Sequence, residues 1–303
     1  MSYSLGVDIG GTKVAAVIID QSGVIHNRHE VLSEPHDQEL MFSRVLACIN
    51  QVVSKSTITF DKIIGMGVGI PGKVDRKKGV AIYQSNINWR NFPIVDRLKE
   101  EIPLENIVID NDVRVATFAE YRAHHSARED TFVYVTISTG IACSIIDNGK
   151  FVRGNGFSGE IGLLPIRSTA SKKEWVTIEE TASGPAIQKL ISNHYGQPNL
   201  AINTFFEKYY KQDSSSEVLL QEVIQALAQG LYSIICLLDP QYIVLGGGVV
   251  INNPVLLDLV KEELKNYLIP EQLESLNFIT LSNYKGDSGA IGAGLLALSS
   301  KNK

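Results

Sequence analysis

The stretch Asp8-Ile9-Gly10-Gly11-Thr12-Lys13 decides the fold class, because it joins two runs that have the character of buried strands. Residues 4–7 and 14–19 on either side are apolar and partly β-branched, so the sequence predicts a strand, a glycine turn and a second strand. Paired glycines let backbone N–H groups approach phosphate oxygens, since no Cβ stands in the way. Thr12 adds a hydroxyl donor. The turn therefore predicts a phosphate-binding loop, with an ordinary hairpin as the alternative.

Two charged side chains flank this loop. Asp8 is predicted to hold Mg²⁺ through water, because Mg²⁺ gives up its hydration shell reluctantly. Lys13 either touches phosphate or is simply solvated. The spacing is not that of a Walker A loop, which carries its lysine just before a helix.

The second half of the chain repeats the same order of elements. Residues 131–137 predict a strand, Ser138-Thr139-Gly140 a turn and residues 141–146 a second strand. The repetition predicts an α/β protein of two similar lobes, each presenting a glycine loop to a cleft, where ligands usually bind. Another turn, Gly246-Gly247-Gly248, follows the predicted strand at residues 242–245. Because glycine carries an entropic cost, three in succession predict a close approach of the backbone to a ligand.

Composition excludes several classes of protein. The chain has 303 residues, which at roughly 150 residues per domain predicts two domains. Its net charge of −5 argues against a nucleic-acid partner, because a protein that binds nucleic acid normally has a basic face. Three widely spaced cysteines form neither a disulfide framework nor a zinc motif. No signal peptide is evident and the apolar runs are short, so we expect a cytoplasmic protein without a membrane partner.

Carboxylates are placed where a cleft is predicted. Asn111-Asp112 follows a buried strand and opens a helix, where Asp112 can take the proton of a hydroxyl group that attacks a γ-phosphate. The alternative is that Asp112, or Asp110, only caps that helix. Glu160 lies in a glycine-rich loop and can accept two hydroxyl groups of one ring. Either Glu179 or its neighbour Glu180 is predicted to face the ligand.

Taken in order along nearly the whole chain, these motifs resemble the ROK family (repressors, open reading frames and sugar kinases) of the hexokinase–actin–Hsp70 superfamily. The matching segments are Asp8–Lys13, Gly69–Asp75, Asn111-Asp112, Thr139-Gly140, Gly159–Gly162, Ala182–Ala186, Gly246–Gly248 and Asp287–Gly294. The resemblance implies a two-lobed actin-like ATPase (ribonuclease H-like) fold with a cleft between the lobes. The small lobe is expected at residues 1–113, with a C-terminal helix at about 290–303 packing back onto it. The large lobe is expected at 114–289 and to carry a homodimer surface.

The resemblance also implies roles for single residues. ATP phosphates and Mg²⁺ are assigned to Asp8, Gly10, Gly11, Thr12, Lys13, Thr139 and Gly140, and adenosine to Gly184, Gly246, Gly247 and Gly248. The sugar is assigned to Gly72, Ser85, Asn111, Glu160, Leu163 and Glu179, with Asp112 as the base. The reaction implied is ATP-dependent phosphorylation of a hexose or N-acylhexosamine at its 6-hydroxyl.

Three departures from the family pattern bear on the sugar. Leu163 stands where the family has a histidine that contacts sugar and zinc, and residues 168–178 contain no cysteine. A zinc site needs thiolate or imidazole ligands, so we expect no zinc. Arg114 replaces the second asparagine of the family's NDxN pattern, as an ion partner or as plain surface. The absence of zinc ligands resembles N-acetylmannosamine kinases and β-glucoside kinases.

Leu163 leads to a hypothesis about the substrate. A leucine offers no hydrogen bond, so it favours a sugar that presents an apolar group, such as an N-acetyl methyl or the aglycone of a β-glucoside. N-acetylmannosamine is the first choice. The alternative is that Leu163 turns into the core. Two other functions stay open: a non-catalytic, sugar-sensing ROK regulator and an actin-like structural ATPase.

Overall fold

The computed structural model describes residues 2–84, 86–124, 130–167 and 174–300. The chain divides into two compact units, one formed by Met1–Ser126 with Asp287–Lys303 and the other by Ala127–Gly286.

The first unit is an α/β unit. Its elements before residue 126 are β1 (Tyr3–Ile9), β2 (Lys13–Ile19), β3 (Ile25–Leu32), α1 (Gln38–Ser54), β4 (Ile63–Ile70), β5 (Lys73–Asp75), β6 (Val80–Tyr83), β7 (Arg90–Phe92), α2 (Ile94–Glu101), β8 (Ile107–Asn111) and α3 (Asp112–Ala123), with a short 3₁₀ turn at Phe60–Lys62.

The second unit is also an α/β unit. Its elements are β9 (Thr131–Ile137), β10 (Ile141–Asp147), β11 (Lys150–Phe151), β12 (Pro165–Arg167), β13 (Trp175–Thr177), α4 (Ile178–Ala182), α5 (Gly184–Tyr195), α6 (Ile202–Tyr210), α7 (Ser214–Leu238), β14 (Tyr242–Gly246), α8 (Gly248–Asn252), α9 (Val255–Leu264) and β15 (Ile279–Leu281), with 3₁₀ turns at Ile161–Leu163 and Pro270–Phe278. The last helix, α10 (Ser288–Ser300), returns to the first unit.

The main sheet of the first unit has the order β3-β2-β1-β4-β8, and a small antiparallel sheet is formed by β5, β6 and β7. Strands β1, β4 and β8 run parallel, and their register pairs Asp8 with Gly69 and Gly69 with Asp110. The carboxyl ends of three neighbouring strands therefore meet at one edge, which is where ligands of α/β sheets bind.

Helix α10 packs on β1, β4 and α3 with almost no side chain in between. A Cβ atom on Gly6 of β1 would collide with the carbonyl oxygen of Ala290, and one on Gly67 of β4 with that of Ala293. Only glycine leaves room for so close an approach of helix and sheet. The small residues of α10 thus allow the helix to pack closely on the sheet.

The main sheet of the second unit, β11-β10-β9-β14-β15, repeats the strand order of the first. As in the first unit, two antiparallel pairs stand beside two parallel ones. The predicted repetition of the two lobes is therefore present in the sheet topology.

The boundary between the units differs from the sequence-based expectation at residue 113. It lies beyond α3, because α3 packs on α10 and β4 of the first unit. The second boundary falls before Asp287. Residues 301–303 of the predicted C-terminal helix lie outside the described residues.

Helix α7 is long and apolar enough to cross a membrane by length and composition alone. More than half of its most apolar stretch is buried, and α7 packs against α4 and α9 in the core of the second unit. The core helix of a soluble protein has the same length and composition, so this is weak evidence for a membrane span.

Candidate active site

The turn between β1 and β2 is held by three hydrogen bonds. The Gly10 N–H donates to the Lys13 carbonyl at 2.9 Å, the Ser33 hydroxyl to the Gly10 carbonyl at 2.6 Å, and the Ser33 N–H to the Thr12 carbonyl at 3.0 Å. Thr12 and Lys13 are exposed on this turn. Lys13 Nζ lies 3.1 Å from Glu30 Oε2. Lys13 is therefore ion-paired at the edge of the loop. The sequence alone predicts only contact with phosphate or simple solvation.

Asp8, at the end of β1, has a carboxyl group with a raised pKa. Although part of its surface is accessible, protein atoms displace water around the carboxylate, and this raises the pKa of Asp8 from 3.8 to about 7. Asp112 and Asp287 raise this pKa further and Lys13 lowers it. Three carboxylates thus concentrate negative charge at the ends of the strands, where a cation would be stabilised.

Asp112 is the first residue of α3, and its carboxylate is held in one orientation. Its Oδ1 accepts hydrogen bonds from Asn111 Nδ2 and from the Val113 N–H, both at 2.9 Å. The N-cap of α3 is Asn111, whose Oδ1 accepts from the Arg114 N–H at 3.3 Å. The alternative in which Asp112 or Asp110 caps this helix is therefore wrong. The side-chain amide of Asn111 caps the helix, and Asp112 is its first residue.

Asn111 also ties this helix start to the neighbouring loop, because its Nδ2 donates to the Gly72 carbonyl at 3.1 Å. Gly72 has a φ of +74°, and a Cβ there would collide with the Tyr83 carbonyl. The turn therefore requires glycine. Ser85, predicted to contact the sugar, lies outside the described residues.

Asp110 is a buried carboxylate between two arginines. It is 1% exposed, with Arg76 Nε at 3.2 Å from Oδ2 and the Arg114 guanidinium at 3.9 Å from Oδ1. Arg114 is thus an ion partner and not plain surface. Because a buried carboxylate is stable only when it is paired, this cluster fixes the strand end from which Asn111 and Asp112 project.

In the second unit, Glu179 holds the turn at Ser138–Gly140. Its Oε2 accepts a hydrogen bond from the Ile141 N–H at 2.7 Å, and a Cβ on Gly140 would lie 2.7 Å from the same oxygen. The Gly184 N–H, at the start of α5, donates to the Ser138 carbonyl at 2.7 Å. Of the two candidate glutamates, Glu179 therefore lies at the loop, whereas Glu180 forms the capping box of α4 with Thr177.

The loop with Glu160 and Leu163 rests on the start of β10. The Cys143 N–H donates to the Gly159 carbonyl at 2.7 Å, and a Cβ on Gly162 would collide with the Ile141 carbonyl. Glu160 is exposed, and Leu163 is 60% exposed. The alternative in which Leu163 turns into the core is therefore wrong.

The three glycines Gly246, Gly247 and Gly248, at the end of β14 and the start of α8, have different surroundings. A Cβ on Gly246 would collide with the Tyr134 hydroxyl, and one on Gly247 with the Ile137 carbonyl. Both glycines are thus required by packing within the second unit. Gly248 is exposed, and a Cβ there would meet only Asn252 Nδ2, at 3.9 Å.

Two residues near Asp8 were not predicted as site residues. Asp287 acts on the Asp8 carboxyl electrostatically and is held by Arg28 Nε at 2.8 Å. Gly289 packs so close that a Cβ would collide with Asp8 Oδ2. The signal for both residues in the sequence is Asp287-Ser288-Gly289, at the start of the small-residue helix.

Asp8 fits a Mg²⁺ ion by its donor chemistry. Within the described part of the chain, no three His, Cys, Asp or Glu side chains form a group that could hold a metal ion. Mg²⁺ in phosphate-transfer sites is bound by one or two carboxylates with water and substrate phosphates rather than by an all-protein cage. Of the segment expected to lack zinc ligands, residues 168–173 lie outside the described residues.

Comparison with known proteins matches the ROK family model to residues 4–300. The chain belongs to the ROK family. Glucokinase of Halalkalibacterium halodurans is 26% identical over 99% of this chain and 96% of its own length, and β-glucoside kinase of Listeria monocytogenes is 28% identical over 98% and 97%. Xylose repressor of Bacillus subtilis is 24% identical over 87% of this chain and 69% of its own length.

Solved structures confirm the predicted fold class. A Listeria monocytogenes protein described as a candidate N-acetylmannosamine kinase superposes with a TM-score of 0.83 at 26% identity, covering 99% of this chain and all of its own. A ROK glucokinase of Streptomyces griseus, solved with glucose and AMPPNP, gives 0.82 at 24% identity, covering 98% of this chain and all of its own. The particular class within the family is that of the sugar kinases.

Proposed function

We propose that the chain transfers the γ-phosphate of ATP to the 6-hydroxyl of a hexose or an N-acylhexosamine, with Asp112 as the base. The observation that carries the proposal is the convergence of Asp8 and Asp112 on Gly69, at the carboxyl ends of β1, β4 and β8. A Cβ on Gly69 would lie 3.4 Å from Asp8 Oδ1 and 3.5 Å from the Asp112 Cα.

In the proposed reaction, the sugar 6-oxygen forms a bond to the γ-phosphorus while the bond between that phosphorus and the β,γ-bridging oxygen breaks. Asp112 takes the hydroxyl proton, and ADP carries away the bonding electrons. The hydrogen bonds from Asn111 and Val113 to Oδ1 orient the carboxylate in advance, so little reorganisation is needed.

The glycine turn after β1 is proposed to bind phosphate through the N–H groups of Gly10 and Gly11 and the Thr12 hydroxyl. Asp8 would hold Mg²⁺ through water. When bound, Mg²⁺ offsets the negative charge of the phosphates. Lys13, which is ion-paired with Glu30 at the edge of this loop, is also proposed to bind ATP phosphate.

In the second unit, we propose that Thr139 and Gly140 bind ATP phosphate and that Gly184 and the exposed Gly248 flank adenosine. Gly246 and Gly247 would shape that turn. Glu160 and Glu179 are proposed to bind sugar hydroxyls, and in the first unit Gly72, Asn111 and Ser85 are assigned the same role. Glu179 would also keep the Ser138–Gly140 turn in place.

The exposed Leu163 side chain, three residues after Glu160, supports a sugar with an apolar substituent. N-acetylmannosamine is the proposed first substrate and a β-glucoside the second. The similarity to a β-glucoside kinase and to a candidate N-acetylmannosamine kinase supports testing both sugars. We also propose that the protein is a homodimer in the cytoplasm. It is proposed to lack zinc, because Leu163 replaces the family's histidine and residues 168–178 contain no cysteine.

The experiment is a coupled ADP-release assay across glucose, mannose, fructose, N-acetylglucosamine, N-acetylmannosamine and a β-glucoside, with and without Mg²⁺. Mass analysis of the product locates the phosphate. Metal analysis of the purified chain should find far less than one zinc per chain. Sugar binding with no ADP release from any of the six would favour the sugar-sensing regulator instead.

A further inference from the structure

Gln84 follows β6 and contains a buried acceptor without a partner. The residue is 5% exposed, and within the described part of the chain its Oε1 is shielded from solvent and has no hydrogen-bond donor. Its Nε2 donates to the Lys73 carbonyl at 3.5 Å, at the long limit of a hydrogen bond. The amide is thus held weakly at one end and not at all at the other.

The position of Gln84 relates this amide to the predicted sugar loop. A Cβ on Gly72 would lie 3.1 Å from the Gln84 Cα. The Gly72 carbonyl accepts from Asn111 Nδ2, and the same nitrogen donates to Asp112 Oδ1. Gln84 therefore packs against the loop that is hydrogen-bonded to the residue next to the proposed base.

A buried acceptor without a donor destabilises a fold, and most buried polar groups have partners for that reason. An apolar side chain of the same length would fill the space without that cost. A buried glutamine at this position has a physical reason if a ligand donates a hydrogen bond to Oε1. Sugar hydroxyl groups are such donors. The long bond to the Lys73 carbonyl means that the amide can turn towards a ligand at small cost.

We propose that Gln84 is a further substrate-binding residue, whose Oε1 accepts a hydrogen bond from one sugar hydroxyl at the Gly72 loop. The inference rests on the proposed function in that it takes the ligand to be a sugar. It adds a residue to which neither the sequence analysis nor the family resemblance assigned a role.

The test replaces Gln84 by methionine, which keeps the length of the side chain and removes both polar atoms. Ser144→Ala is the matched control, because Ser144 Oγ in β10 is another buried oxygen without a partner in the described chain. Dissociation constants are measured by calorimetry for glucose, N-acetylmannosamine and methyl β-glucoside. The monodeoxy analogues of the tightest ligand follow.

Gln84→Met is expected to raise the Kd about tenfold, which corresponds to about 1.4 kcal/mol. For one monodeoxy analogue, the one that lacks the partner hydroxyl, the effect should vanish. The Tm without sugar should be unchanged or higher, and Ser144→Ala should leave every Kd unchanged.

An equal loss of affinity for every analogue, or no loss at all, would overturn the proposal for Gln84. Calorimetry measures sugar binding without turnover, so the result for Gln84 does not depend on whether the chain transfers phosphate. Wild-type protein that binds a sugar without transferring phosphate contradicts the proposed reaction only, and protein that binds none of the six assayed sugars overturns both proposals.

Discussion

The carboxylate of Asp8 and the backbone of Asp112 lie on the same glycine, although 104 positions separate them in the sequence. The position of a Cβ on Gly69 is 3.4 Å from Asp8 Oδ1 and 3.5 Å from the Asp112 Cα. Both distances are ordinary van der Waals contacts, whereas the same Cβ would collide with Val115 Cγ2 at 2.7 Å. Gly69 therefore lets α3, which begins at the proposed base, pack against β4 beside the proposed cation site.

Asp112→Asn should lower kcat by about 10²-fold or more while sugar affinity is retained, because the amide keeps the shape and loses the basic oxygen. Asp37→Asn is the control, since Asp37 is the N-cap of α1 and asparagine caps equally well. Steady-state kinetics and calorimetry measure the two quantities. A kcat within a few-fold of wild type would show that Asp112 is not the base.

Asp8 should make the stability of the metal-free protein fall with increasing pH. Its pKa is raised from 3.8 to about 7 in the folded state, so between these values the folded chain binds more protons than the unfolded one. The free energy of unfolding therefore decreases from about pH 4 to pH 7 and stays low above it.

Urea unfolding of wild type and Asp8→Asn without Mg²⁺ measures this effect. The variant should gain stability relative to wild type as the pH rises from about 4 to 7 and keep that gain above pH 7, and added Mg²⁺ should reduce the gap. Parallel stability curves for the two proteins would contradict the raised pKa.

Glu179→Ala should raise the KM for ATP as well as for the sugar, because Glu179 holds the Ile141 N–H beside the Ser138–Gly140 turn. Glu180→Ala is the matched control. It breaks the capping box of α4 but keeps its N-cap, Thr177, and should leave both KM values unchanged. Equal KM effects of the two substitutions would mean that Glu179 has only a structural role.

Leu163→His should decrease the ratio of kcat/KM for N-acetylmannosamine to that for glucose, because histidine offers a hydrogen bond where leucine offers an apolar contact. Both sugars are assayed with both proteins. The hypothesis fails if glucose is the better wild-type substrate and the ratio is unchanged in the variant. Since Leu163 is 60% exposed, the substitution should have little effect on stability.

The glycine loops, the strands around them and the repetition of the two lobes could be predicted from sequence. The reason is that a β-branched run ending at paired glycines constrains its own backbone, whatever the rest of the chain does. Asp112 was predicted as a cleft carboxylate on the same local ground, since a strand end followed by a helix start exposes its side chain at the edge of a sheet.

Only the tertiary structure assigned roles to neighbouring polar residues at the start of α3. Asn111, and not Asp112, caps α3, because its amide can donate to the Gly72 carbonyl and to Asp112 while its oxygen accepts from the helix. Arg114 is an ion partner only because Asp110 is buried beside it. Local sequence allowed each alternative, and three-dimensional contacts chose among them.

The sequence alone therefore determined the family, the fold class and the loops proposed to bind phosphate, because these depend on short segments whose backbone is fixed by their own glycines and β-branched residues. Only the tertiary structure brought Asp287 and Gly289 to Asp8 and left Gln84 Oε1 without a donor among the residues that the structure describes. Electrostatic and packing contacts between residues far apart in the chain exist only after α10 has packed onto β1 and β4, and no local pattern encodes them.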